Sequence, residues 1–172
     1  MGRCRVSRDG RWMRPLYVLY GWVPSGFRQR VIRAIKPSFT ISAMPVVTND
    51  RDEVLLVRHS YLRDWGLPGG LLNRGEQPAV GAVREGWEEV GLRVELVGEP
   101  AVVVHPDHQV VRIIFRARPL PGNDLTLAGP APSPEIDERR WFATDALPTM
   151  LPESFEALRA LERSEGRVHD DG

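Results

Sequence analysis

Apolar and polar positions change period several times along this chain. Over residues 25–36, SGFRQRVIRAIK, the residues Phe27, Val31, Ile32 and Ile35 recur at helical spacing. Ser25 serves as N-cap and Pro37 as the stop. From Ser38 to His59 the pattern becomes strand-like. Phe39, Ile41 and Ala43, then Val46-Val47, precede the turn residues Asn49-Asp50-Arg51-Asp52, and Val54-Leu55-Leu56-Val57 follow. That order predicts a hairpin. A glycine-rich loop over 66–76 leads into a helix over 77–90, where Ala79, Ala82, Val83, Trp87 and Val90 predict a buried stripe. Strand patterns return at Arg93–Val97, Ala101–His105 and Gln109–Ala117. A proline-rich loop over 119–134, a short strand Arg139–Ala143 and an amphipathic helix Pro152–Ser164 complete the pattern. Strands and helices intermix without regular βαβ alternation, so the expected class is α+β, with a mixed sheet flanked by helices.

Composition narrows the function classes. At 172 residues, 42% apolar and 27% charged, the chain suits one folded domain and excludes global disorder. Net charge is zero, with 23 basic and 23 acidic residues, so no uniform basic coat for nucleic acid exists and no stable nucleic-acid complex is expected. The zero is uneven. Residues 1–36 hold nine basic residues and one acid, and the rest of the chain carries the balancing excess of acids. The expected organisation is a basic extension over 1–37 with its amphipathic helix at 25–36, a domain over 38–164, and a flexible tail over 165–172. The helix stripe is read as packing on the domain or on a twin subunit in a homodimer, with an anionic membrane surface as the lesser alternative. Met13 is an alternative start. The single cysteine, Cys4, allows no intrachain disulfide. No apolar run reaches the ~18 residues of a membrane span, and Leu16–Val23 is a poor signal peptide, so a cytoplasmic location is expected.

The chemistry concentrates between Gly69 and Leu92. Glu85, Glu88 and Glu89 stand at i, i+3 and i+4, neighbours on one helix face. Three carboxylates so close repel one another, and a divalent cation removes that cost. Hard ions such as Mg²⁺ take oxygen ligands and share their shell with substrate phosphates. A solvated acidic face is the ordinary explanation of such a run. Three features count against it here. The loop Gly66-Leu67-Pro68-Gly69-Gly70 allows close backbone approach to a ligand, Arg84 adjoins the acids with a planar fork, and Gly91 ends the helix.

These residues resemble the Nudix hydrolase signature. Gly70, Glu76, Arg84, Glu85, Glu88, Glu89, Gly91 and Leu92 all fall in its register. Gly86 departs from it, standing where the family prefers an apolar side chain. A helical glycine costs roughly 0.5–1 kcal/mol against alanine, and here it lets Trp87 or a neighbouring strand pack closer. The resemblance extends over 38–163 through Ser38–His59, Trp65–Gly70, Glu135–Phe142 and Leu147-Pro148.

The resemblance implies a Nudix-type mixed sheet sandwiched between helices and metal-dependent hydrolysis of a pyrophosphate bond. The substrate would be a nucleoside diphosphate linked to another moiety, such as a nucleotide-sugar or an ADP-ribose-like compound, or an oxidised nucleoside triphosphate. Glu85, Glu88, Glu89 and the Gly69 carbonyl would hold Mg²⁺, or Mn²⁺. Arg84 would orient the glutamates, with Glu76 as a supporting carboxylate. Glu135, then Glu88, are the candidate general bases. Trp65, Gly70 and Arg58 are the candidate substrate contacts. A non-catalytic nucleotide sensor of the same fold is the alternative. His105 and His108, on either side of Pro106-Asp107, are read as turn histidines rather than a second metal site.

Overall fold

The computed structural model describes residues 38–168. The chain divides into two units, 1–38 and 39–172. The extension over 1–37, its helix at 25–36, Met13 and residues 169–172 lie outside the described residues. The elements run β1 (Thr40–Val47), β2 (Glu53–His59), β3 (Gly70–Leu71), α1 (Pro78–Val90), β4 (Val94–His105), β5 (Val110–Pro119), β6 (Ile136–Ala143) and α2 (Pro152–Val168). The last helix therefore passes the expected end at 164.

The expected hairpin does not form. β1 runs parallel to β5 and antiparallel to β3, in a four-stranded sheet of order β3-β1-β5-β4. β2 pairs antiparallel with β6 in a separate two-stranded sheet. Only the Thr48–Val54 bridge joins the two strands across their turn. The reason lies in burial. Val46, Val47, Val54, Leu55, Leu56 and Val57 are all buried, and strands covered on both faces read as continuous apolar runs rather than alternating ones. Asn49 redirects the chain, its side-chain oxygen accepting from the Arg51 and Glu53 backbone N–H groups at 2.9 and 3.1 Å. The strand patterns at 93–97 and 101–105 belong to one strand, β4, whose register shifts between Val97 and Ala101. Gly98 takes up that irregularity at φ +69°. β6 begins at Ile136, three residues before the expected strand.

Two apolar layers build the core. On one side, Ala157, Ala160 and Leu161 of α2 pack on Met44, Val46, Val54, Leu56, Ala101 and Ile114. On the other, Val90 at the end of α1, with Leu92, packs on Val47, Leu55, Val57, Val94, Ala117 and Ile136. Alternate residues of β1 and β2 thus serve opposite helices. The result is the α+β arrangement expected, with mixed strands between helical layers.

The expected stripe of α1 is rotated. Its buried residues are Gly81, Ala82, Glu85, Gly86, Glu89 and Val90. Val83 and Trp87 point outward, and Trp87 lies under the Arg93 guanidinium at 5.6 Å. The helix turns its glycines and two carboxylates inward where β4 and the Leu72 side chain come near. A Cβ on Gly86 would stand 3.2 Å from Val94 Cγ2, and one on Gly81 only 2.3 Å from Leu72 Cδ2.

Candidate functional site

The site forms where the glycine-rich loop passes the inward face of α1. Pro78 occupies the first turn, where its missing N–H is no loss. Gly91 ends the helix at φ +72° and donates its N–H to the Trp87 carbonyl at 3.0 Å. Arg139 of β6 reaches the freed Val90 carbonyl and the Pro130 carbonyl. The loop itself is tied to the opposite layer. The Leu67 N–H donates to Ser154 Oγ of α2 at 2.9 Å, and the Trp65 carbonyl accepts from the Leu151 N–H at 2.8 Å.

Arg84 organises the carboxylates. Its Nε and Nη2 meet both oxygens of Glu76 at 2.8 and 3.1 Å. Its Nη1 donates to Glu85 at 2.7 Å and to Glu88 at 2.8 Å, and Nη2 also reaches the Leu71 carbonyl at 3.2 Å. One planar guanidinium thus serves three acids at once, which a lysine ammonium cannot reproduce. Glu76 in turn accepts from the Asn73 N–H at 2.8 Å. Its hydrogen bonds from Arg84, with that from Asn73, hold its carboxyl down to about 2. The same partners push the Arg84 guanidinium further toward its charged form.

Glu89 lies outside that fan. It is buried, and its Oε2 accepts from the Gly69 N–H at 2.9 Å. Burial pushes its carboxyl up to about 7; the Gly69 bond opposes the rise, while Glu85, Glu135 and Glu88 add to it. Burial also raises Glu85, against the pull of Arg84. A Cβ on Gly70 would stand 2.5 Å from Glu85 Oε1, so a side chain there displaces the carboxylate. Gly69, at φ +151°, is closed in by the Ala43 carbonyl at 2.7 Å from its would-be Cβ.

The structure therefore brings Gly69, Gly70, Glu76, Arg84, Glu85, Glu88 and Glu89 together, and Glu135 is near enough to act electrostatically on Glu89. Trp65 and Arg58 are placed differently. Trp65 packs against the α2-side core with its ring edge-on to Phe142, 4.8 Å between centroids. The Arg58 and Arg140 guanidinia lie over it at 5.9 and 5.6 Å, and Arg58 is ion-paired to Glu138. Its ring is thus already engaged.

His59 belongs to the site and had no motif to announce it. Its Nε2 is 3.7 Å from Glu89 Oε1, its Nδ1 is buried without a partner, and its ring stands 5.3 Å from Tyr61. Burial lowers its pKa, and Glu135 opposes that. The signal available was period two: Leu55 and Val57 face α1, and His59 continues their row.

Among the described residues, no three His, Cys, Asp or Glu side chains converge as a ready ligand cluster, because Arg84 draws Glu85 and Glu88 toward itself. The donor chemistry nevertheless fits a hard divalent ion. Glu85, Glu88 and Glu89 supply oxygen, and the buried, mutually repelling Glu85 and Glu89 are groups that a nearby cation would favour in ionised form.

Comparison with known proteins agrees with this geometry. The NUDIX domain family matches residues 38–161. A MutT-like protein from Streptomyces ambofaciens is 31% identical over 139 residues, covering 78% of this chain and 86% of that protein. The crystal structure of a NUDIX hydrolase from Nitrosomonas europaea superposes with TM-score 0.61 at 26% identity, over 76% of this chain and 75% of that one. An ADP-ribose pyrophosphatase from Streptococcus suis superposes with TM-score 0.57 at 26% identity, over 73% and 91% respectively. No helix among the described residues is long and apolar enough to cross a membrane.

Proposed function

The chain belongs to the NUDIX family of hydrolases, and we propose that it cleaves the pyrophosphate bond of a nucleoside diphosphate derivative with a divalent cation, Mg²⁺ or Mn²⁺. One observation carries this: Arg84 gathers Glu76, Glu85 and Glu88 beside the loop onto which Glu89 is hydrogen-bonded. A solvated acidic face has no use for a buried Glu89 or for a glycine at 70 that makes room for Glu85.

Glu85, Glu88, Glu89 and the Gly69 carbonyl are the proposed ligands. When bound, the cation supplies positive charge against the phosphate oxygens and acidifies a coordinated water. The chain's own residues do the rest. Arg84 orients Glu85 and Glu88 and in turn is held by Glu76. Gly69 and Gly70 let the loop backbone lie close against the carboxylates. Glu135 is the leading candidate to accept the proton of the attacking water, with Glu88 second. The substrate is a small nucleotide, with ADP-ribose-like compounds first because of the structural relative of that activity.

The test is a product screen. The full chain is incubated with Mg²⁺ and a nucleotide panel, and the released mononucleotide is identified. Glu88→Gln is expected to abolish turnover while leaving the circular dichroism spectrum and melting cooperativity unchanged. Turnover equal to wild type in that variant refutes the proposal. Nucleotide binding without product, across the whole panel, would favour the sensor alternative.

A further inference from the structure

A groove of about 490 Å³ opens between the turn joining β4 to β5 and the outer side of α2. Arg112 of β5 lines one wall, Arg159 and Arg163 of α2 the other, with His105 and His108 at the turn. Arg112 precedes Ile114 by two residues on β5 and so shares its sheet face, the one covered by α2. Glu85 and Glu89, by contrast, approach the sheet from α1.

We propose that this groove binds a phosphate group, held by Arg112, Arg159 and Arg163. Each guanidinium presents a planar donor fork that matches phosphate oxygens. Among the described residues, none of the three has a carboxylate partner, although Arg159 lies over the Phe155 ring at 5.6 Å. The groove also carries two acids, fewer than its three arginines. Glu156 Oε2 stands 2.9 Å from His105 Nε2 without hydrogen-bond geometry, and Glu153 sits in the first turn of α2, where the helix dipole favours negative charge. Arg159 and Arg163 are also four residues apart on one helix. Like charges at that spacing destabilise a helix, a cost that a bound anion removes. The concave wall strengthens the attraction by focusing the field of the three cations.

The phosphate has two possible sources: free inorganic phosphate, or a phosphate monoester carried by a substrate beyond its scissile bond. The second source rests on the hydrolase reading above; the first does not. The experiment separates them. Sodium phosphate is titrated into the ¹⁵N-labelled full chain in EDTA at constant ionic strength. Saturable amide shifts are expected over 105–112 and 153–163, and the dissociation constant is expected to rise at least about tenfold in R159Q/R163Q. Arg163 is exposed, so R163Q alone serves where the double variant folds poorly. No saturable shift at these residues up to ~20 mM phosphate, enough to fill even a millimolar site, overturns the proposal. Equal shifts with acetate also overturn it, because they would report charge alone. Turnover is then compared for substrates with and without an additional phosphate monoester. A KM raised by R163Q only for the phosphorylated substrate assigns the groove to substrate. Unchanged KM for both, with the shifts retained, assigns it to free phosphate. Loss of turnover across the panel leaves the EDTA titration unaffected and would count against the hydrolase reading instead.

Discussion

Glu89→Gln should separate stability from activity. In the folded chain the Glu89 carboxyl is raised by burial from an ordinary 4.5 to about 7. The native state therefore holds a proton that the unfolded chain releases between those values, so stability falls as pH rises through that window. At about 1.4 kcal/mol for each tenfold change in proton affinity, the ionised group costs roughly 3 kcal/mol above pH 7. Glutamine keeps the acceptor for the Gly69 N–H and has no charge to bury. In EDTA, urea denaturation from pH 5 to 8.5 should show wild type losing most of that amount relative to the variant, whose remaining slope comes from Glu85 and His59. At pH 8 the variant should be the more stable by roughly 3 kcal/mol, yet inactive with Mg²⁺. Parallel pH profiles for the two proteins would refute the reasoning, because they would mean that Glu89 ionises without penalty where it stands.

Arg84→Lys removes the fork that joins Glu76, Glu85 and Glu88, and should cost about 10–100-fold in turnover, as loss of a residue supporting metal ligands does; steady-state kinetics at saturating Mg²⁺ checks it. Gly70→Ala places a methyl group 2.5 Å from Glu85 Oε1. The carboxylate must then leave its place, and turnover should fall by a similar factor, with a lower melting temperature by calorimetry. Gly86→Leu restores the apolar residue that the family prefers but pushes into Val94, which a bare Cβ already approaches to 3.2 Å. Overpacking at about 1–3 kcal/mol should outweigh the propensity gain, so the urea midpoint should drop. Millimolar Mg²⁺ should raise the melting temperature of wild type, by up to about 2.7 kcal/mol of stabilisation at a hundredfold excess over Kd, and should do less for Glu85→Gln.

The carboxylate helix was legible because its chemistry is local. Glu85, Glu88 and Glu89 are neighbours by helical geometry alone, and Gly91 marks the helix end in any context. What depended on distant chain was not legible. The run through Val57 has the signature of a hairpin, but its burial on both faces arises from two helices on opposite sides, and no local pattern reports them. Trp87 matched the helical period of the core, yet Val94 and Leu72 lie so close to α1 that glycines rather than the indole face inward. His59 entered the site because the row of Leu55 and Val57 on β2 packs under α1, which brings it to Glu89. The arginines of the groove come from β5 and α2, and sequence spacing does not place Arg112 opposite Arg159.

The bond from the Leu67 N–H to Ser154 Oγ spans 87 residues. It gives the assembly of this site an order in time. On a ribosome the carboxylate helix emerges early, but its neighbouring loop acquires that anchor only after the first turn of the last helix has left the exit tunnel. Until then the loop is held only by its pairing with β1 and β2 and by the Gly69 bond to Glu89. A nascent chain, or one truncated before residue 154, would carry the full set of charged residues and lack the anchor that ties the loop to the last helix.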